Sequence, residues 1–302
     1  MRRAPALLIT AGLIVATLSG CSAQANVSCI VQPGSASQLV SVTGEFGKTQ
    51  HVEFPTPLPS GTLQRSTVSQ GTGARLQQGQ FIEAELTLLN GVTGQSEQNG
   101  RVGLPLSLST YPGVGKALQC VPVGSRVAIT GTAQQIFGAS GVQSTGLAPS
   151  FPLVLTIDVV RAFLQKANGT PQPGQPGFPT VVLAPNGRPG IKVPSTPAPT
   201  KVQVATLKSG SGQTVAKGKT VVVAYTQVNW SDNTVAASSW DQAAPVQWAL
   251  GTAPQGVTAA PTGTEQALIG SKVGSQLIVL VPADTKTGAA ASAYVIDVLG
   301  VI

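Results

Sequence analysis

The sequence predicts an α+β fold made of two tandem units, each an antiparallel β-sheet packed on one short helix. Three observations carry this: a composition rich in turn residues and poor in charge, runs of β-branched residues, and an internal repeat. The chain has 302 residues with 35 Gly, 23 Pro, 42% hydrophobic and only 10% charged residues, which favours strands and turns over long helices. About 280 residues remain after an N-terminal leader, more than one hydrophobic core usually serves. The repeat places the boundary. Gly71, Gly73, Leu76 and Gly79 recur as Gly210, Gly212, Val215 and Gly218, each 139 residues on. The same spacing carries Phe54-Pro55 onto Val193-Pro194, Thr87 onto Thr226 and Asp158 onto Asp297. Ala117-Leu118 and Val123-Gly124-Ser125 return as Ala267-Leu268 and Val273-Gly274-Ser275 at a spacing of 150, so the second copy holds an 11-residue insertion before that point. A compensating deletion shortens Ile136 to Pro152 of the first copy to roughly Thr285 to Ser292 of the second.

From the N-terminus, Arg2 and Arg3 precede an apolar run, Ala4 to Leu18, closed by Leu18-Ser19-Gly20-Cys21. The run is shorter than the ~20 residues of a spanning helix and ends in small residues, as a signal peptide does. Its closing tetrapeptide resembles a bacterial lipobox, which predicts cleavage after residue 20 and lipidation at Cys21; the alternative is an ordinary signal in which the cysteine is incidental. Residues 21–40 read as a short lipid-anchored stalk. Two cysteines then remain, Cys29 and Cys120. In an oxidising compartment such a pair forms a disulfide by default, with two separate buried thiols as the alternative.

The first unit covers residues 41–163 and the second residues 181–302, with residues 164–180 between them. That middle stretch contains Gly169-Thr-Pro-Gln-Pro-Gly-Gln-Pro-Gly177 and reads as a linker. In the second unit Val202-x-Val204 leads to a turn at Gly210-Ser-Gly212, and Thr220 to Val228, Ser275 to Val281 and Tyr294 to Val301 are strand-forming runs. The helical piece is Glu265 to Ile269. Strands crossing a short helix give one antiparallel sheet per unit.

The formal charge of +7 falls to +5 once Arg2 and Arg3 leave, and the basic residues are scattered without aromatic interleaving, so nucleic acid is not a predicted partner. His51 is the sole histidine and no CxxC spacing exists, so no metal site is predicted. Ser238 and Ser239 have no histidine in the second unit to activate them as nucleophiles.

Gln203 to Gly212, Gly218 to Thr226, Ser238-Ser-Trp240, Ala267-Leu268, Val273-Gly274 and Val295-Ile-Asp-Val298 together resemble an FKBP-type peptidyl-prolyl isomerase domain. The first unit shares this pattern more faintly, through Tyr111-Pro-Gly113, Lys116-Ala-Leu118, Ile136-Phe-Gly138 and Leu155-Thr-Ile-Asp158, and reads as a degenerate FKBP-like domain. The whole layout resembles extracytoplasmic FKBP-like lipoproteins of actinobacteria. The resemblance implies an enzyme that needs no cofactor. An X-Pro bond is held by a barrier of roughly 18 to 20 kcal/mol from amide resonance, and an apolar aromatic pocket that hydrogen-bonds the twisted amide lowers it.

Carried across by this resemblance, the site is incomplete. Tyr225 keeps the family's tyrosine, whose hydroxyl helps hold bound carbonyls. The family's Phe-Asp becomes Ala236-Ala237, and a further phenylalanine becomes Val246, with Trp248 two residues on and able to share its side of a strand. The floor tryptophan falls at Thr264, the long-loop tyrosine at Thr287 and the last-strand phenylalanine at Ile296. Pro261 stands near the position whose N–H binds the ligand carbonyl, and proline has none. The resemblance therefore assigns catalysis to Tyr225, Trp248 and Ile296, and substrate contact to Tyr225, Val246, Trp248, Pro261, Thr264 and Thr287. Tyr225 and Trp248 also fit the plainer role of core aromatics on strands. In the first unit Leu86 replaces the tyrosine and Phe137 holds the aromatic loop position. The expected function is a weak prolyl isomerase anchored by lipid outside the bacterial cell membrane, acting on exported proline-containing polypeptides; the alternative is a catalytically silent FKBP-like binding or structural lipoprotein of the envelope.

Overall fold

The structure, a computed structural model, describes residue 29 and residues 31–302. The predicted signal peptide and Cys21 lie outside the described residues. The chain folds into mostly antiparallel sheets with few short helices, as the composition predicts.

The segment read as a stalk is structured from Val31 onward. Helix α1 (Ser35–Gln38) receives Gln64, whose Oε1 accepts the N–H groups of Ala36 and Ser37 at 3.0 and 3.1 Å. Val31 and Ala36 are buried, because Cys29 bonds to Cys120 with Cα atoms 5.8 Å apart and holds this segment to the first unit. Of the two fates open to the cysteines, the pair forms the disulfide.

A hairpin of β1 (Ser41–Thr43) and β2 (His51–Glu53) precedes a five-stranded antiparallel sheet. This sheet contains β3 (Gln64–Ser69), β4 (Phe81–Asn90), β5 (Ser96–Pro105), β6 (Arg126–Thr132) and β7 (Pro152–Ala162), in the order β3-β6-β7-β4-β5. Alternation sorts the side chains. Ile82, Ala84, Ile129, Leu155 and Ile157 face α2 (Pro112–Leu118), whereas Leu89, Ala128 and Val154 face Val40, Val42 and Leu58 around the hairpin. Pro112 opens α2 at a position where its missing N–H costs nothing.

Besides α1, a second helix was not predicted. α3 (Ala133–Thr145) occupies the long segment after Ile136 that the second unit lacks, so the first unit has more than the single helix expected of it. Its N-terminus is a capping box: Thr132 Oγ1 accepts Gln135 N–H at 3.2 Å and Gln135 Oε1 accepts Thr132 N–H at 2.9 Å. Gly138, at φ 74°, kinks it, and Ile136 and Val142 bury against the first core.

The predicted linker is not a free spacer. β8 (Thr170–Pro171) pairs with the edge of the second sheet, Ala167 is buried, and Ala167 N–H donates to Asp297 Oδ2 at 2.7 Å. The prolines explain why a linker was read there, and also why the pairing stops after two residues, since proline supplies no ladder N–H.

The second unit repeats the plan. A hairpin of β9 (Thr180–Leu183) and β10 (Pro189–Lys192) precedes a sheet of β11 (Gln203–Ser209), β12 (Thr220–Asn229), β13 (Val235–Ser238), β14 (Val246–Ala249), β15 (Thr258–Ala259), β16 (Gln276–Val281) and β17 (Ser292–Val301). Its order is β15-β14-β12-β17-β16-β11-β8, with β13 also on β12, and all pairs are antiparallel except β14 with β15. α4 (Glu265–Leu268) lies where Glu265 to Ile269 was read as helical.

The repeat is physical. Gly71 and Gly210 lie so close to the backbone of Val123-Gly124-Ser125 and Val273-Gly274-Ser275 that a Cβ would collide. Their N–H groups donate to Ser125 Oγ at 2.9 Å and Ser275 Oγ at 3.0 Å, and Gly124 and Gly274 each donate to a strand carbonyl at 2.8 Å.

Candidate active site

In the second sheet, residues alternate between two cores. Val221, Val223 and Tyr225 on β12, Tyr294, Ile296 and Val298 on β17, and Val246 and Trp248 on β14 share the face toward α4. The register sets Tyr225 opposite Ile296 and Val221 opposite Trp248. The Tyr225 ring lies 4.7 Å from the Trp248 ring and 6.3 Å from the Tyr294 ring, so three aromatics line one side of the sheet. Trp248 is 4% exposed and Ile296 is fully buried, whereas Tyr225 is half-buried.

Burial raises the Tyr225 phenol above the ordinary tyrosine value, and burial also raises Tyr294, with the Tyr225 charge adding to it. Both stay neutral, and Tyr225 remains a hydroxyl that can donate to a carbonyl. Its main chain is held from the side: Tyr225 N–H donates to Ser239 Oγ at 2.9 Å, and Ser238 Oγ donates to Tyr225 C=O at 3.3 Å while lying in hydrogen-bond contact with Thr226 Oγ1 at 2.9 Å. The paired serines therefore fix strand geometry beside the aromatic cluster.

A cavity of about 380 Å³ opens next to this cluster, between Gln227, Tyr294, Gly263, Asp284 and Thr287, a volume typical of small-ligand sites. Asp284 is held below the ordinary carboxylate range by the N–H of Lys286 and the hydroxyl of Thr287. Thr264 lies at the foot of α4, fully buried, with its hydroxyl donating to Pro261 C=O at 2.7 Å and its N–H to the same oxygen at 2.9 Å.

Residues 211–296 match the family of FKBP-type peptidyl-prolyl cis-trans isomerases. The second unit is an FKBP-type domain. No curated protein matches the sequence. Similar solved structures include the three FKBP domains of wheat FKBP73, at 15% identity and a TM-score of 0.34 over 80% of this chain and 95% of that one. A peptidyl-prolyl cis-trans isomerase from Pseudomonas syringae aligns at 22% identity and TM-score 0.29 over 33% of this chain and 74% of that one. FkpA from Escherichia coli aligns at 17% identity and TM-score 0.29, over 33% of this chain and 47% of that one.

Within the FKBP-type unit, the structure brings Tyr225, Val246, Trp248 and Ile296 into one apolar cluster. Pro261 and Thr264 bond to each other beside Gly263 at the cavity rim, and Thr287 lines the cavity from the opposite loop. Ala236 is exposed on β13, so no aromatic wall stands there. Sequence reasoning missed Tyr294 and Gln227, which are opposed in the ladder and both line the cavity. The signal was available: each lies two residues along its strand from an assigned residue, Ile296 or Tyr225, hence on the same face.

Proposed function

We propose that the FKBP-type unit binds proline-containing segments of exported polypeptides at the Tyr225 face and isomerises their X-Pro bonds only weakly. The observation that carries this reading is the Tyr225–Trp248–Tyr294 aromatic cluster beside the cavity, on the segment that matches the isomerase family. The cluster supplies a desolvating surface and a neutral phenol as donor, which suits a prolyl ring and its preceding carbonyl. Weakness follows from what is absent. Ala236 and Ala237 provide neither ring nor carboxylate, Thr264 ties its hydroxyl to Pro261, and Pro261 offers no N–H to a substrate carbonyl. A silent binding or structural role is the second reading, favoured by the burial of Trp248 among Val221, Leu250 and Leu277.

Titration of the full chain with a proline peptide, followed by tryptophan fluorescence, tests the reading. Binding should alter the emission, and Tyr225→Phe should weaken affinity by about tenfold, the loss of one partly buried hydrogen bond. An unchanged spectrum at millimolar peptide contradicts it. The proposal includes anchorage through Cys21: mass spectrometry of membrane-extracted protein should show a cleaved, acylated N-terminus, and Cys21→Ser should release the protein.

A further inference from the structure

We infer that the first unit holds the loop that fixes the Tyr225 main chain, and that Ser107 and Ser109 are positioning residues for the site at Tyr225. This rests on the reading of that site as a proline-peptide cleft.

In the first unit β4 and β5 form one continuous hairpin, pairing Thr87 with Asn99 and Ile82 with Leu104. In the second, Thr226 pairs with Ser238 at the same separation of 12 residues, but Val221 pairs with Trp248. The outer pair is thus 27 residues apart against 22, so five extra residues lie between Ser238 and Trp248. They break the partner strand into β13 and β14 and create a loop whose core is the 3-10 turn Ser239–Gln242.

This loop is bonded at both ends to different things. At its start, Ser239 Oγ accepts the Tyr225 N–H. At its end, Gln242 C=O accepts the Ser107 hydroxyl at 2.6 Å and the Ser109 hydroxyl at 3.0 Å, both from the first unit. Between them Trp240 packs on the cluster of Phe81, Phe163, Val222 and Leu299, and Asp241 pairs with Arg188 at 2.6 Å. Ala243 follows at φ 46°, a left-handed conformation that a residue with a Cβ adopts only when its surroundings impose it. The Tyr225 amide is therefore held by a hydroxyl whose position depends on a contact with the other unit.

The experiment compares the full chain with Ser107→Ala/Ser109→Ala by amide hydrogen exchange and by proline-peptide titration. Exchange at the Tyr225 amide should rise by about tenfold as the loop loosens, with Ile278 and Val295 in the sheet core unchanged. Peptide Kd should rise by about three- to tenfold, and Ser107→Ala/Ser109→Thr, which keeps one hydroxyl, should recover part of both effects. Unchanged Tyr225 exchange, or a parallel rise at Ile278 and Val295, overturns the coupling. If the unaltered protein binds no proline peptide, the reading of the cleft fails, and the exchange result alone decides the coupling. Should the double variant not fold, Ser109→Ala, at an exposed side chain, must show the smaller shift in the same direction or the inference is wrong.

Discussion

Asp158 and Asp297 occupy the same place in the two units and are held in opposite ways. Asp158 is fully buried and forms a two-pronged ion pair with buried Arg126, at 2.6 and 2.7 Å, which also holds the Gly44 and Glu45 carbonyls at 3.0 and 3.2 Å. Asp297 has Gln276 in the place of that arginine, accepting its amide at 2.7 Å, and burial raises its carboxyl above the ordinary value. Asp158→Asn should therefore cost about 3 to 5 kcal/mol in denaturant unfolding, because it leaves a buried guanidinium unpaired. Asp297→Asn should be neutral or stabilising at pH 7, since a turned Gln276 amide can satisfy it. A raised native carboxyl favours the fold below the unfolded value near ~3.9 and loses that advantage as pH rises through the native one. The gain from Asp297→Asn should accordingly grow with pH over that window and vanish in acid; a gain independent of pH would contradict it. At the site, the raised Tyr225 and lowered Asp284 leave peptide binding flat from about pH 6 to about pH 9. Of the residues gathered here, Tyr225, Val246, Trp248 and Ile296 were named through the family resemblance, and strand alternation is what puts them on one face. Gln276 was not, because a repeat shows which positions correspond and not which partners they have exchanged.

The long central strands of the second unit were readable almost to their ends, since Thr220 to Val228 and Tyr294 to Val301 are apolar, β-branched-rich runs: β12 and β17 are observed at Thr220–Asn229 and Ser292–Val301, whereas the short β13, β14 and β15 were not among the strand runs foreseen. α3 was not readable, because Gly138 and Gly141 lower helix propensity. The insertion was counted from the repeat, but its division into a loop after β13 and the segment before α4 required the ladder register. These elements limit any attempt to restore a fuller pocket. Thr264 is fully buried at the foot of α4, next to Gly263, where even a Cβ would press on Val202 and Val281. Thr264→Trp should thus destabilise by about 1 to 3 kcal/mol through overpacking, measured by thermal unfolding, whereas Ala236→Phe on exposed β13 should be tolerated. The bond between Cys29 and Cys120, 91 residues apart, staples α1 to the end of α2. Replacing both cysteines by serine should cost about 2 to 5 kcal/mol, and an unchanged unfolding midpoint would show that α1 stays docked without it.

The two units are joined by more than the chain between them. Phe81 and Phe163 of one pack against Val222 and Leu299 of the other, with Arg161 stacked 4.6 Å over the Phe163 ring. Gly300 lies against that ring so closely that a Cβ would collide, so Gly300→Ala should loosen the junction and lower the unfolding midpoint. The Gly/Pro stretch concealed this arrangement in the sequence, because composition reports flexibility and not what a segment docks on. The molecule that results pairs an FKBP-type unit, holding a tyrosine and a tryptophan on one sheet face, with a sister unit packed against it. Its chemistry is decided by a protease-coupled isomerisation assay of the full chain on an Ala-Pro peptide. The account predicts a rate barely above the uncatalysed one, with measurable peptide binding and a rise on introducing Ala236→Phe and Ala237→Asp together. A kcat/KM in the range of about 10⁴ to 10⁸ M⁻¹s⁻¹ usual for enzymes would contradict it, and would mean that Tyr225, Trp248 and Tyr294 suffice as a catalytic surface.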